Sequence, residues 1–200
     1  MSIIVEHEKR RKEILEKSLD VFINEGFENV TFQKIADCCG ITRTTLYIYF
    51  KNKREIFKYS VKMFLEKTEE GIKQICSDTS LDSINKIIKV MYNIFQQLEE
   101  NRNLLRLVMD YLLNITKNKT DPGLRIRRRT IKLQHILVSL IIEGIKKGEL
   151  KDIKIKLVHD YLYNFIEAAV YRLVVLKQET TGNLRDTVVF AVNRLATGIA

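Results

Sequence analysis

Proline occurs once in this 200-residue chain, tryptophan not at all, and glycine at only eight positions. With so few helix breakers and 46% apolar residues, the composition predicts a mostly helical protein. No extended run alternates apolar and polar residues, which leaves a β-sheet without support. The three cysteines, Cys38, Cys39 and Cys76, are an odd count, and the adjacent pair could bridge only under strain. A reducing cytoplasm fits them best. Apolar runs that could cross a bilayer are also missing, because charges such as Glu143 and Arg172 interrupt them, and Met1 to Val5 is too short an apolar start for a secretion signal. Catalytic signatures are absent in the same way: there is no HExxH, Cys-x-x-Cys, G-x-S-x-G or glycine-rich phosphate loop. His7, His135 and His159 have no nucleophile at catalytic spacing, so neither an enzyme nor a metal site is expected.

What is present in excess is positive charge, 34 Lys and Arg against 25 Asp and Glu, for a net +9. Its distribution matters more than its sum. Residues 101–156 hold fourteen of the bases and five of the acids, including Arg125, Arg127, Arg128 and Arg129 at an expected helix start. Four arginines in five residues cannot share one helix face, so a solvated surface or a rim for an anionic ligand are the two readings open there. A second basic stretch, 31–58, sets Lys34, Arg43, Lys51, Lys53, Arg54 and Lys58 against Asp37 and Glu55. That density suits phosphate contact.

The organisation of residues 31–58, TFQKIADCCGITRTTLYIYFKNKREIFK, is unusually specific. Thr31 can cap a helix over about 32–38 whose apolar positions are Phe32, Ile35, Ala36 and Cys39. Gly40 ends it, since glycine alone takes the left-handed backbone at little cost. Thr42 caps a second short helix over about 42–48, so two helices meet across a four-residue turn around a glycine, the helix-turn-helix arrangement. The first turn of the second helix presents Thr42, Arg43, Thr44 and Thr45, short hydroxyls and one guanidinium able to reach base edges and phosphates, while Leu46 and Phe50 anchor the other side. Asn52 and Glu55 fit the start of a third helix, where Lys51 and Lys53 oppose the helix dipole by about 0.3–1 kcal/mol each. Phosphates would account for them. Thr42, Arg43 and Thr44 are accordingly the expected base-edge contacts, Tyr47, Tyr49, Lys51 and Lys53 the expected phosphate contacts, and Gln33 and Lys34 could serve either.

The segment Gly40, Ile41, Thr42, Leu46, Tyr47, Tyr49, Phe50, Lys53 and Ile56 resembles the end of the DNA-binding domain in tetracycline-repressor (TetR) family regulators. Thr44 departs from that pattern, where many relatives carry glycine, which bears on the operator sequence rather than on the fold. The resemblance implies a repressor that binds a palindromic double-stranded DNA operator as a homodimer. It also implies that a small molecule lodged between the middle helices swings a long linking helix and releases the DNA. No cofactor is implied beyond that effector.

The rest of the chain agrees with an all-α architecture: an N-terminal helix-turn-helix domain, 1–54, joined by a long helix to a ligand-binding and dimerisation domain, 55–200. A support helix covers about 7–25, and the linking helix runs from 53 to about 77. Further helices are expected over 81–100, 103–117, 122–147, 154–177 and 184–198, the third of them opened by Asp121-Pro122. The helix 122–147 is apolar on two sides, with Ile131, His135, Val138, Ile142 and Ile145 against Leu133, Leu137, Leu140 and Gly144, which predicts a place in the middle of its domain. Inward-directed aromatic and soft side chains, Met91, Phe95, Met109, Tyr111, His135, Ile142 and Phe165, are the candidate ligand contacts, though each also suits plain core. The last two helices are apolar on more than one face and carry several alanines, which predicts a partner surface. A helical small-molecule-binding module without DNA-dependent function is the alternative reading.

Overall fold

The computed structural model describes residues 2–116 and 122–197, and side chains over 5–114 and 133–197. The chain divides into two compact units, Met1–Lys67 and Thr68–Ala200. Among the described residues its regular structure is helical, apart from one isolated bridge between Leu150 and Ala196.

The first unit contains α1 (Ser2–Glu25), α2 (Phe32–Cys38), α3 (Arg43–Tyr49) and the opening turns of α4 (Lys53–Ser77). Its core is built from Ile14, Phe22, Phe27, Ile35, Leu46, Phe50, Ile56 and Phe57, all buried. Phe22, Phe27 and Phe57 form an aromatic triangle with ring centroids 5.1 to 5.8 Å apart, a separation suited to tilted and edge contacts. Two buried serines each donate to a backbone carbonyl. Ser18 Oγ donates to the Ile14 carbonyl at 2.5 Å, and Ser60 Oγ donates to the Leu15 carbonyl at 2.8 Å. Phe57 and Ser60 belong to this core, and the division between the two units falls inside α4, after Lys67.

The second unit contains the end of α4, then α5 (Ser83–Glu100), α6 (Arg102–Thr116), α7 (Pro122–Lys146), α8 (Ile155–Val174) and α9 (Leu184–Leu195). Its middle is α5, which packs against α6, α7, α8 and α9 and buries Ile87, Val90, Met91, Ile94 and Phe95. The sequence had pointed to α7 for that place. In the structure α7 buries Leu137, Leu140, Ile141 and Gly144, while Val138, Ile142 and Ile145 are half-buried. Its expected second stripe is broken by His135, which is exposed one turn from the exposed Ser139. Ile131 and the arginines 125 and 127–129 lie outside the described side chains. Gly144 permits a close approach: a Cβ there would meet the Leu150 side chain at 2.6 Å and Ser83 Cβ at 3.0 Å.

A polar clasp closes this unit. Glu99 on α5 accepts hydrogen bonds from the Thr181 backbone N–H at 2.7 Å and its hydroxyl at 2.5 Å, and from Arg185 at 2.6 Å, fixing the turn before α9. Lys86 is buried and faces Glu143 at 3.4 Å, and Glu143 in turn pairs with Lys147 at 2.6 Å.

Candidate nucleic-acid interface

The turn between α2 and α3 is set by its hydrogen bonds. Thr31 Oγ1 accepts the Lys34 backbone N–H at 3.1 Å, and Thr42 Oγ1 accepts that of Thr45 at 3.1 Å, so both helix starts are capped by the threonines that the sequence singles out. Gly40 has φ +66°, and the amide after it, Ile41 N–H, donates back to the Ala36 carbonyl at 3.0 Å. This is the closing bond of a left-handed helix terminus, and a side chain at residue 40 would strain it. At the start of α4, Asn52 Oδ1 accepts from Glu55 N–H at 3.0 Å, while the Glu55 carboxylate accepts from Lys51 N–H at 2.6 Å. The capping pair therefore closes one residue earlier than the usual box.

Leu46 of α3 and Phe50 just after it are fully buried, and Arg43, Thr44, Tyr47 and Ile48 of α3 are exposed. Arg43 donates to Tyr47 Oη at 3.2 Å with its guanidinium 5.7 Å from that ring, and the Tyr47 ring packs 4.6 Å from Phe32 of α2. A long flexible cation is thereby braced on an aromatic that is itself braced on the preceding helix. Tyr49 is half-buried with its ring stacked on His7 of α1, centroids 4.6 Å apart. Gln33 and Lys34 are exposed on α2, where Gln33 donates to Asp37 at 2.7 Å and Lys34 pairs with Glu25 at 2.6 Å. Lys51 is exposed. Thr42 and Thr45 share a hydrogen bond between their hydroxyls at 2.8 Å, so Thr42 is engaged as a cap as well as being exposed.

Lys53 is placed differently from the phosphate contact expected of it. Its ammonium donates to three backbone carbonyls, Phe27 at 2.9 Å, Glu28 at 3.0 Å and Val30 at 2.9 Å, and lies 4.7 Å from the Phe27 ring. An ammonium has three protons, and all three are directed into the loop between α1 and α2. Arg11 has a comparable role, with its guanidinium 5.1 Å from the Phe50 ring and 4.6 Å from that of Tyr59. Arg10 pairs with Glu13 at 2.9 Å. Of the basic run in α1, Lys9 and Lys12 are exposed.

The two cysteines at the end of α2 part company. Cys38 is exposed, whereas Cys39 is buried against the Ile14 carbonyl, and burial, followed by the neighbouring Cys38, pushes its thiol pKa up. A raised pKa makes Cys39 a packing residue rather than a reactive one.

Two residues of this surface were missed by sequence reasoning. His7 lies far away along the chain and comes to Tyr49 only through the packing of α1. Ile48 is not among the expected contacts, although its helical phase relative to Leu46 is available in the sequence.

Three of the seven candidate ligand contacts of the second unit, Met91, Phe95 and Phe165, come together in the central cluster. Met91 and Phe95 are fully buried in the central cluster. Phe165 packs against that cluster, while Met109 and Tyr111 are half-buried on α6 and His135 is exposed. Ile142 instead lines an open groove of about 500 Å3 with Ile145, Lys146, Asp152, Ile153, Lys154 and Ile155.

Residues 14–59 match the model of the tetR family of bacterial regulatory proteins. The chain is 26% identical to the fatty acid metabolism regulator protein of Bacillus subtilis (strain 168), over 86% of this chain and 88% of that one. It is 25% identical to the transcriptional repressor AcnR of Corynebacterium diphtheriae, over 82% and 80% respectively. Among solved structures, a TetR transcription regulator from Haloarcula marismortui superposes with a TM-score of 0.82 at 20% identity, covering 95% of this chain and all of that one. FadR from Bacillus subtilis, solved in complex with stearoyl-CoA, superposes with a TM-score of 0.68 at 23% identity, covering 94% and 99%.

Proposed function

We propose, for a chain that belongs to the tetR family and is a DNA-binding transcription regulator, that it acts as a cytoplasmic homodimeric repressor released by a small molecule. Two α3 helices would enter successive major grooves about 34–36 Å apart on a roughly palindromic operator. The observation that carries this reading is the exposed surface of α3, where hydroxyls and a braced guanidinium reach solvent while Leu46 is buried. Arg43, Thr44 and Thr42 are assigned to base edges, Tyr47, Tyr49 and Lys51 to phosphates, and Gln33, Lys34 and Thr45 to the rim of the same contact.

Dimerisation is supported by the free faces of α8 and α9. Leu157, Tyr161, Tyr171 and Val175 recur at helical spacing and are exposed, with Phe190 of α9 exposed at 61%. Apolar side chains aligned along a helix, rather than scattered singly, mark a surface that another copy can cover.

For the effector, the relative solved with stearoyl-CoA makes an acyl thioester the first class to test. Met91 and Phe95 are closely packed, so an acyl chain would have to part α5 from its neighbours, and that displacement is how binding could favour a second conformation. A 100-fold loss of operator affinity needs a preference of about 2.7 kcal/mol for the released form.

The test is a footprint of the purified protein on the DNA upstream of its own coding sequence, repeated with acyl thioesters and at several salt concentrations. Affinity should fall steeply with salt, Tyr47→Ala should weaken all sequences, and Arg43→Ala should also relax base choice. Unchanged base preference in Arg43→Ala would remove it from direct readout. A Leu157→Glu, Phe190→Glu double variant that still sediments as a dimer would remove the α8–α9 interface.

A further inference from the structure

We propose that Ile48 reads the methyl group of a thymine in each half-site, and so fixes an A·T pair one or two steps from the pair faced by Thr44. The inference rests on the reading that α3 enters a major groove, and it adds a specificity contact to that reading.

Helical phase puts Ile48 at the centre of the contact. With 3.6 residues per turn, Thr44 and Ile48 each lie about 160° round the helix from Leu46, one on either side of the line directly opposite it. Leu46 is fully buried, so the outward midline of α3 runs between Thr44 and Ile48. Arg43 and Tyr47 flank that midline on one side, and Thr45 and Tyr49 on the other. Whatever α3 approaches meets Ile48 first, together with Thr44.

Ile48 is 69% exposed, the most exposed large apolar side chain among the described residues, and it sits among hydroxyls and a guanidinium. A single exposed isoleucine on an ordinary surface needs no explanation. At this position it stands near the C-terminal end of a short helix on which two other exposed side chains are braced, Arg43 on Tyr47 and Tyr47 on Phe32. A sec-butyl group offers no hydrogen bond, so it cannot sort the donors and acceptors of the major-groove edges. The one apolar group on those edges is the C5 methyl of thymine. Ile48 lies about 6 Å along the helix axis from Thr44, one to two base-pair steps of about 3.4 Å, so the thymine belongs one or two pairs away from the base that Thr44 faces.

The experiment uses full-length protein and a duplex selected from random sequence by that protein. Each thymine of the half-sites is replaced in turn by deoxyuridine, which removes the methyl and leaves base pairing intact, and affinity is read by fluorescence anisotropy at one salt concentration. The wild type should lose about fourfold at one thymine position per half-site, the value of one buried methyl group, and about fifteenfold with both half-sites substituted. Ile48→Ala, a substitution on an exposed helix position, should still bind, should keep the salt dependence of the wild type, and should lose the sensitivity to uracil. Cytosine at that position should bind weakly, and 5-methylcytosine should recover part of the loss. Wild-type affinity that stays within twofold at every thymine, or an Ile48→Ala variant that keeps the full uracil penalty, would overturn the assignment while leaving operator binding intact. Failure to select any duplex would instead overturn the DNA-binding reading, and this assignment with it.

Discussion

The two units solve the same problem, holding short or long helices together, by different means. In the first, α2 and α3 are only seven residues each, too short to be stable alone, and polar groups fix them: Thr31 and Thr42 at the caps, Lys53 in the loop carbonyls, Arg11 between Phe50 and Tyr59. In the second, α5, α7 and α8 are 18 to 25 residues long and are held mainly by apolar faces, with polar ties at the turn before α9 and around Lys86. A polar anchor works by direction and an apolar face by area. The first unit therefore tolerates few changes of residue type at its anchors, whereas the second can exchange apolar residues of similar volume.

The largest expected effect tests the area side of that contrast. Phe95→Ala should cost about 3–5 kcal/mol in a chemical-denaturation experiment, because Phe95 is fully buried on the central helix. A loss below about 1 kcal/mol would mean that the residue already borders a cavity, and would return it to the ligand-contact group.

Lys53→Met tests the direction side. Removing the ammonium leaves the Phe27, Glu28 and Val30 carbonyls without their donor, and the first unit should lose about 1–3 kcal/mol in stability. The slope of operator affinity against salt should stay where it is. A slope smaller by about 0.9 would show that Lys53 neutralises a phosphate after all.

The smallest effect concerns acid. Lys147, then Lys86, holds the Glu143 carboxyl below its ordinary pKa. A carboxyl lowered in the folded state stabilises the fold above the unfolded pKa, and the contribution disappears as pH falls through the folded value. Glu143 is a third exposed, so the contribution is under about 1 kcal/mol. Melting curves above and below the ordinary glutamate pKa of about 4.3 should show a shallow acid loss that Glu143→Gln flattens. A variant with the same pH profile as the wild type would remove the ion pair from the stability of the second unit.

Legibility followed the same division. The helix starts at Thr31 and Thr42 and the helix end at Gly40 could be read in advance, since a cap acts over three or four residues that lie together in the sequence. The extent of α4, Lys53–Ser77, was read correctly for a similar reason, from its apolar spacing. His135 was not, because its neighbours at helical spacing look like a stripe, and only the packing of Leu137, Leu140 and Ile141 decides which side of α7 faces inward. Lys53 was not either. A lysine beside a helix start looks free until the loop from the preceding helix is folded around it.

By itself the sequence determined the helices, their order and the chemistry of the second helix of the helix-turn-helix, because capping, glycine backbone freedom and apolar spacing act between near neighbours in the chain. Only the tertiary structure decided that α5 rather than α7 is central, that Lys53 holds a loop, and that His7 meets Tyr49. Each of these depends on which faces meet across tens of residues, and that choice is made by the joint burial of many side chains.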